Sequence, residues 1–103
     1  MRIAVPCDNP GGPISQQFGR SRYFCIYDSD TGQRQVVENP GGTAMRRAGV
    51  LAANFLVQQG VNAVVALSVG PNSSRILQAA GVDIYLTRTT DINAAIQEYL
   101  ASR

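Results

Sequence analysis

The 103-residue sequence contains no histidine, no lysine and no tryptophan. Without histidine it lacks the commonest general base and the commonest transition-metal ligand. Without lysine it cannot carry a Gly-Lys-Ser/Thr phosphate loop, and no Gly-x-Gly-x-x-Gly fingerprint is present either. No nucleophile–base pair in the usual roles can be assembled, so an enzyme is not expected. Only two cysteines occur, Cys7 and Cys25; they make no disulfide framework and are read as free thiols. No apolar run approaches the ~20 residues of a membrane span. Met1-Arg2-Ile3-Ala4-Val5-Pro6 reads as a strand, without a signal-peptide h-region. The expectation is a cytoplasmic protein with no membrane association.

What is present suits one small domain over residues 1–103, with a hydrophobic fraction of 45%. The net charge of +2 is too small to imply nucleic-acid binding. All nine basic residues are arginine. A genomic bias explains that composition, as does a need for planar, weakly hydrated donors facing a multi-oxygen or multi-sulfur anion.

Ile3-Ala4-Val5 reads as a buried first strand ending at Pro6. Residues 8–17 are loop, and Tyr23–Tyr27 is a second strand. A turn over Asp28–Gly32 leads to a third strand at residues 33–38, making a hairpin. Thr43 is a plausible N-cap for a helix with the stripe Ala48, Leu51, Ala52, Phe55 and Leu56, stopped by Gly60. Ala63–Leu67 has the unbroken apolarity of a central strand. Gly70-Pro71-Asn72 opens a helix with the stripe Ile76, Leu77, Ala80, and Gly81 stops it. Ile84–Leu86 is the last strand. Thr90 or Asp91 caps a final helix bearing Ile92, Ala95, Ile96, Tyr99 and Leu100.

Right-handed crossovers make the first, fourth and fifth strands parallel, with the hairpin on the far side of the first. The expected fold is α/β: a three-layer ribonuclease-H-like motif with a five-stranded mixed sheet. Its strand order is 3-2-1-4-5 with strand 2 antiparallel and helices on both faces. That topology does not make a nuclease. The two-metal reaction needs converging carboxylates, and only Asp8, Glu38 and Asp91 fall on the loop edge.

Ligands of open α/β sheets bind beyond the carboxyl ends of the parallel strands, where neighbouring connections diverge. The loops 7–20 and 68–74 therefore face each other across a crevice. Arg20 and Arg22 at the start of strand two, Asn39, Arg46 and Arg47 after strand three, and Arg88 after strand five share that edge. Ser68, Gly70, Pro71, Asn72 and Ser73 set free backbone N–H groups and small polar side chains at a helix start, which favours an anion. The same residues would also serve simply to turn the chain. Cys7 ends strand one at this edge, either as a soft metal ligand or as a small buried apolar side chain. Cys25, between aromatics, is core.

Met1–Pro6, Ile14-Ser15-Gln16-Gln17-Phe18-Gly19-Arg20 with Tyr23-Phe24, Asn39-Pro40, Gly60–Val65 and Val69-Gly70-Pro71-Asn72 together resemble the nitrogenase iron–molybdenum cofactor biosynthesis family, of the NifX and NifB C-terminal type. The likeness covers essentially the whole chain. It implies a non-catalytic carrier or accessory protein for an anionic metal–sulfur cluster of iron, molybdenum or copper, held noncovalently or through Cys7. Cofactor-assembly proteins are the implied partners. Small stand-alone relatives include one that holds a molybdenum–copper sulfide cluster noncovalently. The resemblance also makes Phe18, Gly19 and Arg20 binding-loop residues. Many relatives place histidine, a natural ligand, where this chain has Gln17. The alternative function is a regulatory or interaction domain that binds a small anion or nucleotide.

Overall fold

The computed structural model describes all residues, 1–103. Its sheet comprises β1 (Arg2–Cys7), β2 (Tyr23–Asp28), β3 (Arg34–Glu38), β4 (Ala63–Ala66) and β5 (Asp83–Leu86). The helices are α1 (Ala48–Gln58), α2 (Pro71–Ala79) and α3 (Ile92–Ala101). The strand order is β3-β2-β1-β4-β5, with β2 antiparallel to both of its neighbours and β1, β4 and β5 parallel. The expected topology holds in full.

Strand alternation divides the core into two layers. Ala4, Phe24, Ile26, Val64 and Ala66 face α1 and α2 and pack with Ala52, Ala53, Leu56 and Leu77. Ile3, Val5, Cys7, Cys25, Ala63 and Val65 face α3 and pack with Ile92, Ala95, Ile96 and Tyr99. α1 and α2 each run into a strand through the same exit. Gly60 (φ 72°) and Gly81 (φ 77°) adopt the left-handed conformation, and the N–H groups of Val61 and Val82 reach back to the carbonyls of Leu56 and Leu77. No helix is long and apolar enough to cross a membrane.

Four local expectations change. β1 runs through Pro6 to Cys7. The Arg2 N–H donates to Asn62 Oδ1 and its carbonyl accepts the Asn62 N–H, so Arg2, Ala4 and Pro6 turn their backbone polar groups towards β4. The β4 register pairs end at Ala4, as expected when Pro6 has no N–H to continue the ladder; its carbonyl takes the Ser15 N–H at 2.8 Å. Thr43 caps no α-helix: it ends a 3-10 turn at Pro40–Thr43, and α1 starts only at Ala48. Leu51 is exposed, because the inward stripe of α1 is Ala48, Ala52, Ala53 and Leu56. On α2 the buried residues are Ser73 and Leu77, while Ala80 is exposed.

Candidate functional site

The loop edge is built around Asn39, which is 5% exposed. Its Nδ2 donates to the carbonyls of Gly19 (3.1 Å) and Ser21 (2.8 Å), and its Oδ1 accepts from Gly41 N–H (2.9 Å). One side chain thus ties the segment before β2 to the 3-10 turn after β3. A Cβ on Gly41 would run into the carbonyl oxygens of Ala48 and Gly19. A Cβ on Gly19 would lie 2.7 Å from the Gly49 nitrogen. Backbone therefore stacks on backbone through Gly19, Gly41 and the start of α1. Gly49 in turn faces the Ser73 hydroxyl across the α1–α2 contact. These close approaches bring loop 16–20 and the first turns of α1 and α2 together.

Between them opens a shallow crevice of about 450 Å³. Residues 16–20 form one wall, Ala48 and Gly49 the floor, and Ser68, Gly70 and Ser73 the other wall. Its donors are mostly main chain. α1 begins at Arg47, a left-handed residue (φ 57°) with no side-chain cap, and α2 begins at Gly70, also without one. Neither helix has an acidic residue in its first turn. The first helical bonds run from Leu51 to Arg47 and from Ser74 to Gly70. The N–H groups of Ala48, Gly49, Val50, Asn72 and Ser73 consequently have no acceptor in the helices. α3 is different, since Asp91 accepts the Ala94 N–H at 2.8 Å.

Charge reinforces this arrangement. The salt bridges link only the N-terminal ammonium to Asp28 and Asp30, so none of the nine arginines is paired with a carboxylate. Arg20, exposed at the crevice, donates from one guanidinium nitrogen to the Ala44 carbonyl at 2.7 Å. Arg47 and Arg75 flank an adjoining groove of about 520 Å³ along the starts of both helices.

The structure brings together Gly19, Arg20, Ser68, Gly70 and Ser73 in the crevice, with Pro71, Asn72 and Arg47 in the adjoining groove. Phe18 lends the crevice wall its backbone, but its ring is core, 5.4 Å from that of Phe24. Asn39 and Arg22 line a different cavity with Glu38 and Phe55, and the Arg22 guanidinium sits over the Tyr23 ring. Arg46 is exposed beside the groove, and Arg88 lines none of these cavities. Sequence reasoning missed Ala48, Gly49 and Arg75. A glycine in the first turn of a helix was the available signal for Gly49, obscured by starting that helix at Thr43.

Of the two readings of Cys7, its surroundings favour the small buried apolar side chain. It is fully buried in the α3-side layer and lines none of the cavities of the loop edge. Burial, with Cys25 and Asp8 nearby, pushes its thiol up to about 11. The thiol packs among Val5, Ile14 and Cys25 and is held neutral at ordinary pH. Burial likewise raises the Cys25 thiol. Both thiols are therefore expected to resist a disulfide reagent at neutral pH until the protein is unfolded in guanidinium. Because the unfolded thiol ionises first, stability should fall as pH rises from about 9 towards about 11, read by denaturation across that window.

No group of three or more cysteine or acidic side chains converges to hold a metal ion. The donors of the crevice are amide N–H groups, hydroxyls and guanidinium. That set matches the sulfide or oxide surface of an anion rather than a bare metal centre.

A family model described as dinitrogenase iron–molybdenum cofactor matches residues 1–102. An uncharacterised protein of Methanocaldococcus jannaschii is 30% identical over the whole chain and 88% of its own length. The apo form of the orange protein from Desulfovibrio gigas superposes with a TM-score of 0.88 at 33% identity, covering 98% of this chain and 88% of that one. A Thermotoga protein assigned as NifB, of the DUF35 family, superposes with a TM-score of 0.81 at 33% identity, covering 99% and 89%.

Proposed function

The chain belongs to the dinitrogenase iron–molybdenum cofactor family, and on that footing we propose that it is a non-catalytic carrier or accessory protein in metallocofactor assembly. Its cargo is an anionic metal–sulfur cluster or a precursor of one, held noncovalently in the crevice between loop 16–20 and the starts of α1 and α2. One observation carries this reading. Two helices present uncapped N-termini to a single crevice, whereas the third helix, which does not line it, has its own carboxylate cap. Each such terminus favours an anion by roughly 0.3–2 kcal/mol, and Arg20 and Arg47 add charge at the rim.

Gln17 lines the crevice, at the position where many proteins of the resembled family carry histidine. Its amide supplies hydrogen bonds and no metal bond. Recognition in this chain therefore works through the outer sulfides or oxides of the cluster, and Cys7 takes no part.

Anaerobic titration with tetrathiomolybdate, followed by visible absorption, tests the reading. Arg20→Ala and Arg47→Ala should each weaken uptake several-fold, while Cys7→Ser should leave it unchanged. If thiomolybdate and iron–sulfide preparations are ignored while phosphate or a nucleotide raises the Tm, the crevice instead serves the small-anion function.

A further inference from the structure

β3 is an edge strand with an open side. The Asn39 N–H donates to Arg22, and the Gln33 carbonyl accepts from Asp28, so the odd-numbered residues of this strand face β2. By alternation, the N–H and C=O groups of Arg34, Val36 and Glu38 point out from the sheet edge. Val36, at the centre of the strand, is one of the few large hydrophobic residues left exposed, at 40%. Opposite charges stand at equal distances on either side of it: Arg34 before and Glu38 after. No salt bridge uses either one.

We propose that β3 is a dimerisation edge, pairing antiparallel with β3 of a second copy about a two-fold axis through Val36. In that register Val36 faces its own equivalent, and Arg34 of each copy faces Glu38 of the other. Every outward N–H and C=O of the three residues then finds a partner. Directly opposed ion pairs and β-branched pairs are the stabilising units of an antiparallel ladder. Centring the axis on Arg34 or on Glu38 would set like charges face to face, so the charges select the register as well as the partner. The other edge, β5 (Asp83–Leu86), has no such symmetry of charge. A contact this small makes a weak, concentration-dependent dimer rather than an obligate one. It leaves the two crevices at opposite ends of a continuous sheet.

Sedimentation equilibrium from roughly 10 µM to about 1 mM reads the association, which belongs in that range for a small interface. Arg34→Glu or Glu38→Arg should weaken it at least about tenfold by opposing like charges, and the double charge swap should restore it. Val36→Pro removes only an outward N–H, which an edge strand tolerates. It should abolish the dimer with an unchanged circular dichroism spectrum. A wild-type chain that stays monomeric across the range overturns the proposal. So does a dimer that survives Arg34→Glu and Val36→Pro in folded protein, or a folded double swap that stays monomeric.

Discussion

Gly41→Ala is expected to destabilise the protein by about 3 kcal/mol, seen as a fall in Tm on the order of 15 °C for a chain of this size. The added methyl would meet the carbonyl oxygens of Gly19 and Ala48, and no side chain stands there to swing aside. Relief would require separating the segment before β2 from the start of α1, which breaks the bonds Asn39 makes to both strands of that stack. Gly11→Ala is the matched control, since a Cβ there meets nothing within 4 Å and the residue has no positive φ. It should change stability by no more than about 0.5 kcal/mol. Chemical denaturation of the two variants side by side is decisive. Equal stability would mean that the backbone stack does not hold the loops together.

Gly70→Asp should separate stability from binding. Gly70 occupies the N-cap of α2 with extended backbone (φ −66°, ψ 162°) and open space around its Cα. Aspartate fits there and caps the free N–H groups, raising helix stability by about 0.5 kcal/mol. The same carboxylate would occupy the donors the cargo needs and repel it. Tetrathiomolybdate binding should weaken at least about tenfold, equivalent to ~1.4 kcal/mol. Asp91→Ala gives the converse on α3: a loss of about 1 kcal/mol in stability with binding unchanged. If Gly70→Asp binds as the wild type does, the start of α2 is not part of the site.

The sheet was legible because its signals are local and strong. The apolar run at Ala63–Ala66 could only be a central strand, and the glycines after α1 and α2 marked identical exits. The cap at Asp91 and the Ile92–Tyr99 stripe placed α3 as it stands. The site edge followed from strand direction alone. What remained hidden were contacts made by the absence of a side chain. Gly19, Gly41 and Gly49 look like ordinary loop and helix glycines, yet each marks a close approach between segments distant in sequence. Nothing in the residues near Thr43 announces that Asn39 captures the chain into a 3-10 turn first. Cys7 stayed open to two readings because position at a strand's end fixes only the edge it approaches. The face its side chain occupies depends on strand parity, which placed it under α3.

Amides and guanidinium groups keep their protons across the whole range in which proteins are ordinarily handled. A crevice furnished with main-chain N–H groups, Ser73 and Arg20, and with no histidine, lysine or thiolate, has no proton of its own to gain or lose there. If the proposed cargo is held in the crevice, the pH at which it is taken up or released follows from the cargo's own sulfides and oxides rather than from the groups lining the crevice.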